Sequence, residues 1–546
     1  MQISKRFALT QKTVVNSLLV FFLLSYISSA QAAPRVEPVT TKNFDLVVYG
    51  GTPSGVVAAI AAERQGLKVA LVAEGKTVGG SISNGLGATD LRQPKIMGAI
   101  PLEFFKAVKA ASNNPDSWRV TPKRAEDIFR NMLTDAGVDV FYNFNIAKAT
   151  VSNNKINCIT DESGAGFCGA EFIDSSYMGD LLPLTNTAFN LGRKDLFAYG
   201  DDKAMPSAVG VRLSLPKNMT LEEKTSIESL PFMKHPTTFD PETTKVTNGM
   251  PSFTYRFCLS NGEKKRALKI WPEDKQYVPA WRLIAKSFYK EGCPNCENSA
   301  KRKLTKFWRI ARVSGDKWDL NSLNSFTNFP IPDDYFTNEA SRPAYNLQAA
   351  HYIESLVAYL QSEEGPIKQE QQILQGFGMC SDEFVDNNNI PYQPYIREGR
   401  RLVGKSTLLV TSELNGDSFS DSIGMAQFPA DNKLSISVQY GNQLFRDYTF
   451  FANTKVYEIP FSITIPKSGP SNLLVSVAVS TSPLAYGSLR MEPHFMSIGQ
   501  ATGVAAALAF KNDTSVADVP IKSLKAVLSA LGQKLHLSAL EKPLGN

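Results

Sequence analysis

The stretch from Phe44 to Gly80 constrains this chain most, because it spells out strand, glycine-rich turn, helix and second strand in immediate succession. Asp45-Leu-Val-Val-Tyr49 is a short apolar run of strand character that ends in Gly50, Gly51, Thr52, Pro53, Ser54 and Gly55. An Ala-rich helical segment, Val56 to Gln65, leads through Gly66 to a second strand, Lys68 to Val72. A strand feeding a helix through such a turn aims unpaired backbone N–H groups and the positive end of the helix dipole at one spot. A pyrophosphate can sit there, so the unit reads as a dinucleotide site.

Two departures from the usual fingerprint bear on how the ligand is held. Gly50 and Gly55 stand at the first and third glycine positions, but the second, where backbone approaches the pyrophosphate, is Thr52. The acidic residue that should close the second strand and bind the ribose falls at Ala73, with Glu74 one step later. Glu74 reaches the ribose if the strand end is bent.

A chain of 546 residues suggests roughly two to four domains. The formal charge of +6 is spread over the length without a dense Lys/Arg run, which argues against nucleic acid as partner. Lys5, Arg6 and Lys12 precede an apolar run from Ser17 to Ile27 and the small-residue site Ala30-Gln31-Ala32. This pattern predicts an export signal cleaved after Ala32 and a periplasmic or secreted protein. The competing reading is an uncleaved anchor, for which the apolar core is short. No later stretch is apolar enough to cross a bilayer, so no stable membrane insertion is expected after signal removal.

Export permits disulfides. Cys158 and Cys168 flank a turn-rich segment and could face each other across a hairpin. Cys293-Pro-Asn-Cys296 has the spacing of a redox dithiol or half a zinc site, but no second Cys pair or His cluster completes four ligands. A local disulfide is expected there ahead of redox chemistry, and no metal. Cys258 and Cys380 have no assignment.

Helical periodicity marks Pro101 to Ala111 and Arg124 to Ala136, followed by a strand at Val138 to Phe141. Ile146 to Val151, Lys155 to Thr160 and Phe167 to Ile173 read as a three-stranded meander with Asn153-Asn154 at its first turn. From Leu181 to about Pro394 the pattern is irregular and rich in aromatics, Pro, Asn and Lys, with a helix at Tyr345 to Glu363. Strand residues return from Thr407 to Ile465, and Asn472 to Val479 reads as a buried strand. A loop is expected over Gly487 to Met496, then a helix opening at Gly499.

Four blocks in order then resemble the FAD-dependent oxidoreductases of the glutathione-reductase-like class, in particular the bacterial family named simply FAD-dependent oxidoreductase. They are Gly50 to Gly55 with Gly79-Gly80, Phe172 to Asp180, Tyr395 to Gly404, and Tyr486 to Pro493 running into Gly499 to Gly503. The resemblance implies an α/β fold: a Rossmann-like FAD-binding domain built from both chain ends, with an inserted α+β substrate or cap domain. The expected boundaries are 1–32 for the signal peptide, 33–180 and 455–546 for the FAD domain, and 181–454 for the cap. It further implies that the first turn with Gly79 and Gly80 holds the FAD pyrophosphate through backbone N–H groups, and that Ile146 brackets the adenine. Asp174 would stand where the chain returns to the flavin. Gly499, Gln500, Ala501 and Gly503 would open a helix whose N-terminus faces the N1 and O2 edge of the ring, stabilising reduced flavin. Where relatives carry a Gly-Arg pair after the buried strand, this chain has Ser476-Val477, a departure that bears on how firmly FAD is held.

Candidate catalytic residues lie in the last two blocks. Arg397, Arg400 and Arg401 would share a helix face, with Glu398 beside them, and clamp an anionic substrate or the flavin edge; a structural ion-pair cluster is the alternative. Arg490, Glu492 and His494 precede the glycine-opened helix. His494 could accept a substrate proton while hydride leaves for the flavin N5, against a purely structural role. The expectation is an exported flavoenzyme acting on a small organic molecule, with oxygen, a quinone or a redox protein as electron acceptor. Its rivals are an exported non-catalytic binding protein that kept the fold without the cofactor, and a flavoprotein that is redox-neutral or relays electrons through Cys293 and Cys296.

Overall fold

The computed structural model describes residues 40–111, 118–192, 198–201, 210–231, 233, 251–324, 326–332 and 334–538. The expected signal peptide, 1–32, lies outside them. Strand β1 (Thr41–Tyr49) leads through the glycine turn to helix α1 (Pro53–Glu63) and strand β2 (Val69–Val72). Helices α2 (Ala99–Ala111) and α3 (Pro122–Ala136) precede β3 (Asp139–Phe141). The meander follows as β4 (Lys148–Ser152), β5 (Lys155–Thr160) and β6 (Gly166–Asp174), with Asn153 and Asn154 both at positive φ in the first turn.

Strand β7 (Leu473–Val475) and helix α4 (Glu492–Asn512) arrive from the far end of the chain. Among the described residues one sheet has the order β3-β2-β1-β6-β5-β4, with β7 also on β6. β1, β2, β3, β6 and β7 run parallel, and β4 and β5 are antiparallel. The outer edge of β6 is shared: β5 covers Gly166–Cys168 and β7 covers Phe172–Asp174. At the changeover Asn472 stitches the strands, accepting from Ile156 N at 2.9 Å and donating to Ile156 O and Ala170 O at 2.9 and 2.7 Å. This parallel α/β module is therefore assembled from two distant parts of the chain.

Helix α1 is buried on nearly every side, which its Ala-rich, small-residue sequence permits. It is pressed against α4 so closely that a Cβ on Gly499 or Gly503 would overlap the Ser54 or Ala58 carbonyl oxygen. Helices predicted at Pro101–Ala111 and Arg124–Ala136 are present with slightly earlier starts.

Between the halves lies an antiparallel sheet. Its order is Lys265–Arg266, Gly378–Cys380, Phe257–Ser260, Lys317–Ser322, Trp308–Ser314, Arg302–Leu304 and Glu297–Asn298. Helices Val278–Phe288 and Arg342–Gln361 share its aromatic core with Trp281, Trp308, Tyr352 and Tyr359. The sheet did not stand out in the sequence because its strands are short and aromatic residues flank them irregularly. Further on, Ala430–Tyr440, Gln443–Ala452 and Gly210–Ser214 form another antiparallel sheet.

The cysteines form three disulfides: Cys158–Cys168 across β5 and β6, Cys258–Cys380, and Cys293–Cys296. The first and third pairings were expected; the second was not assigned.

Candidate active site

Gly50 ends β1 at φ +112, donates to Val72 O at 2.8 Å, and packs so tightly on the Ser175–Ser176 backbone that a side chain has no room. Thr52 is the N-cap of α1: its Oγ1 accepts from Gly55 N at 3.1 Å and donates to Ser175 O at 2.8 Å. The side chain is turned into the protein, which is how a β-branched residue replaces the second glycine. Pro53 brings no N–H, and Ser54 N–H at N2 has no intrahelical acceptor. Ser54 Oγ meets Ser476 Oγ at 2.9 Å and Phe495 O at 2.8 Å, while Ser175 Oγ lies 2.7 Å from Ser476 Oγ. Ser476, the departure noted in the sequence, thus ties the turn to β6 and to α4.

The acidic groups gather at the same end of the sheet. Glu74 Oε2 accepts from Gly51 N at 3.3 Å, so a carboxyl one residue late in sequence still reaches the turn. Burial raises its pKa to about 7, helped by Asp180 and Asp174. Asp174 is fully buried and accepts from Ser176 N, Ser176 Oγ and Leu181 N at 2.9, 2.7 and 2.9 Å, which makes it the organiser of the 175–181 turn.

Several expected roles are not met by this geometry. Gly79 and Gly80 take positive φ, but both N–H groups donate to Gly51 O, at 2.8 and 3.1 Å, so they are spent on joining two loops. Ile146 is buried in the cluster that contains Phe44, Phe144 and Phe167, with its side chain used in packing rather than at the turn. Helix α4 begins at Glu492, not at Gly499, and the segment before it contains a short helix, Tyr486–Leu489, instead of a continuous loop. Gly499 and Gly503 are glycines for the α1 contact. Gln500 Oε1 accepts from Ile100 N at 3.0 Å, and Ala501 is core.

The end of α4 that faces the turn carries a group to which the sequence reading gave no role. Glu492 Oε1 accepts from Tyr177 Oη at 2.5 Å, and Tyr177 Oη accepts from Ser81 N at 2.9 Å. Glu492 is 5% exposed, and burial lifts its pKa to about 7 against the bonds from Tyr177 and Ser81. The signal available was its place between Arg490 and His494 in the last block.

His494 is not placed as a base. Its Nδ1 donates to Leu489 O and its Nε2 accepts from Gln427 N, both at 3.3 Å. Burial pushes its pKa down to about 4, so it is a neutral ring bracing backbone. The arginine block is irregular, not helical, with Arg401 opening a short strand. Each side chain goes its own way. Arg400 holds Met178 O, Asp180 and Phe336 O, and Arg401 holds Gly192 O and Glu398. Arg400 thus ties the turn after β6 to the segment around Phe336, and Arg401 braces the segment around Gly192.

Arg397 and Arg490 do converge, on Tyr395. Arg490 donates to Tyr395 Oη at 2.8 Å and to Asp431 O at 2.9 Å. The Arg397 and Arg256 guanidinium carbons lie 5.3 and 5.7 Å from the Tyr395 ring centroid. Arg256 is paired bidentately with Asp319. Among the described residues Arg397 bonds only neutral groups, Ser252 and Asn328, and burial lowers its pKa to about 10. Asp90 faces the same cations, its pKa raised by burial against the pull of Arg256, Arg309 and Arg490.

Residues 45–528 match the family described as FAD dependent oxidoreductase, and the chain belongs to it. It is thus a flavoenzyme, with FAD as cofactor. Among solved structures, the flavin-dependent brominase Bmp2 is similar at 11% identity and TM-score 0.34, over 90% of this chain and 83% of that one. The myxobacterial chondrochloren halogenase CndH is similar at 10% identity and TM-score 0.33, over 89% of this chain and 78% of that one. No curated protein sequence matches significantly.

The residues present fit FAD. The open N–H of Ser54 at the start of α1 suits a pyrophosphate, and the Glu74 carboxyl at the turn suits a ribose. Among the described residues, the buried Ser83 Oγ and Thr89 Oγ1, on the segment after Gly80, have no hydrogen-bond partner.

Proposed function

We propose that the chain is an exported oxidoreductase that transfers a hydride between a small anionic organic substrate and the flavin N5. Bound FAD supplies a two-electron carrier. The observation that carries the substrate class is the convergence of Arg256, Arg397 and Arg490 on Tyr395, with Arg397 bonded, among the described residues, to neutral Ser252 and Asn328. A buried cation so placed favours a carboxylate brought against it. The Tyr177–Glu492 pair, beside Ser81, can hold or give up a proton near neutral pH where α4 begins. The second electron acceptor is oxygen, a quinone or a redox protein. Export rests on the sequence of the first 32 residues; among the described residues no helix is long and apolar enough to cross a membrane.

Anaerobic titration of the purified yellow protein with small carboxylates and their neutral amides tests this reading. Carboxylates are expected to bleach the blue absorbance band with a primary isotope effect from a deuterated donor carbon. Arg490→Gln and Arg397→Gln should each raise the half-saturating concentration at least tenfold with FAD content unchanged. Equal response to the amides, or no effect of either substitution, would overturn the substrate class. Cell fractionation that left the full-length protein in the cytoplasm with Met1 intact would overturn export.

A further inference from the structure

Two of the disulfides are staples: Cys158 faces Cys168 across β5 and β6, and Cys258 and Cys380 extend the pairing of Leu259 with Met379. The third differs. Cys293 and Cys296 are partly exposed and enclose only Pro294 and Asn295, so their bond removes little chain entropy on its own. The surroundings of Cys296 are those of a chemical site. Tyr289 Oη lies 3.9 Å from Cys296 Sγ, donates to Glu370 Oε2, and accepts from Lys306 N at 3.1 Å. Glu370, on the helix Lys368–Leu374, is fully buried. Burial lifts its pKa to about 7, against bonds from Tyr289 and Thr305. Lys306 is the cation packed on this pair, its Nζ 5.4 Å from the Tyr289 ring centroid and bonded to Phe288 O.

We propose that Cys293–Cys296 is a thiol–disulfide exchange site in which Tyr289 and Glu370 deliver a proton to the Cys296 sulfur. The co-reactant is a dithiol, two cysteines of a partner protein. One of its thiolates attacks Cys293 Sγ, breaking the Cys293–Cys296 bond and forming a mixed disulfide. Cys296 leaves as thiolate and takes the Tyr289 hydroxyl proton, which Glu370 replaces. The second thiol, losing its proton to water, attacks the partner sulfur and expels Cys293 thiolate, which is protonated by water. The partner is oxidised by two electrons and this chain gains two thiols. Protonating the leaving sulfur hastens the first step, a role for a carboxyl poised near neutrality. The site is independent of the substrate proposed for the flavin.

The test is reduction of the holoenzyme by dithiothreitol at pH 6, 7 and 8, read by mass-tagged alkylation of each cysteine. Rates are divided by that of oxidised glutathione under the same conditions. Cys293–Cys296 should open at least a hundredfold faster than Cys158–Cys168, and the rate ratio should fall as pH rises through about 7, where Glu370 loses its proton. Tyr289→Phe and Glu370→Gln should each slow it at least tenfold and flatten the profile, with FAD content and circular dichroism unchanged. Opening no faster than Cys158–Cys168, or a wild-type rate in folded Tyr289→Phe, would overturn the proposal. If neither variant folds, the wild-type profile decides, and a flat ratio counts against it.

Discussion

Glu171 on β6 turns its carboxyl toward the C-terminal turn of α4, where Ala509, Phe510 and Asp513 help line a cavity of about 340 Å³. It is 4% exposed, its Oε2 lacks a partner, and its pKa is raised to about 8 by burial, with Lys155 opposing and Asp513 adding. The native state therefore holds a proton that the unfolded chain releases near its ordinary value of 4.5. Stability from this group is complete below that value and is lost as pH rises to about 8. Glu171→Gln, which keeps the neutral shape, should gain on wild type across that range, by at most about 1.4 kcal/mol per pH unit. Urea melts at pH 5 and 8 check this; parallel curves would refute it. At the same scale, His494 and Arg401 show why residue type alone misled. A histidine or arginine in a recognisable block looks the same in sequence whether its nitrogens face a ligand or, as here, groups of the protein itself.

Helix packing gives the next prediction. A Cβ at Gly503 would overlap backbone, the Ala58 carbonyl oxygen, so neither partner can move aside as a flexible side chain would. Gly503→Val should force α1 and α4 apart and cost about 2–3 kcal/mol or more, with FAD loss following because Ser54 opens α1 and Glu74 bonds to Gly51 in the turn before it. Thermal melts and FAD retention on gel filtration measure both; an unshifted melt would show that the helices do not touch as described. The elements of the FAD module were legible because β1, α1, β2 and the meander are local patterns of alternation, small residues and turn glycines. The glycines at Gly499 and Gly503 were legible too, but not their purpose, since a small residue permits approach of a ligand or of a helix equally well. The arginine block was misread as helical because i, i+3 and i+4 spacing also occurs in an irregular segment whose side chains are claimed by separate partners.

Across the whole molecule, the disulfides act on very different lengths of chain. Cys258–Cys380 links residues 122 apart, and Cys293–Cys296 residues three apart. Replacing the first pair by serine should cost about 2–5 kcal/mol and lower the melting temperature, while replacing the second should shift it far less. Differential scanning calorimetry distinguishes them, and equal shifts would contradict this account. The cap is also the detour that separates β6 from β7: Ala170 and Asn472, which bond to each other, are 302 residues apart. At about 5–20 residues per second, a ribosome needs roughly 15–60 s to make that detour. During this interval β6 waits with half of one edge unpaired and α1 with a bare flank, so the nascent chain cannot close its nucleotide cradle until β7 and α4 have been made.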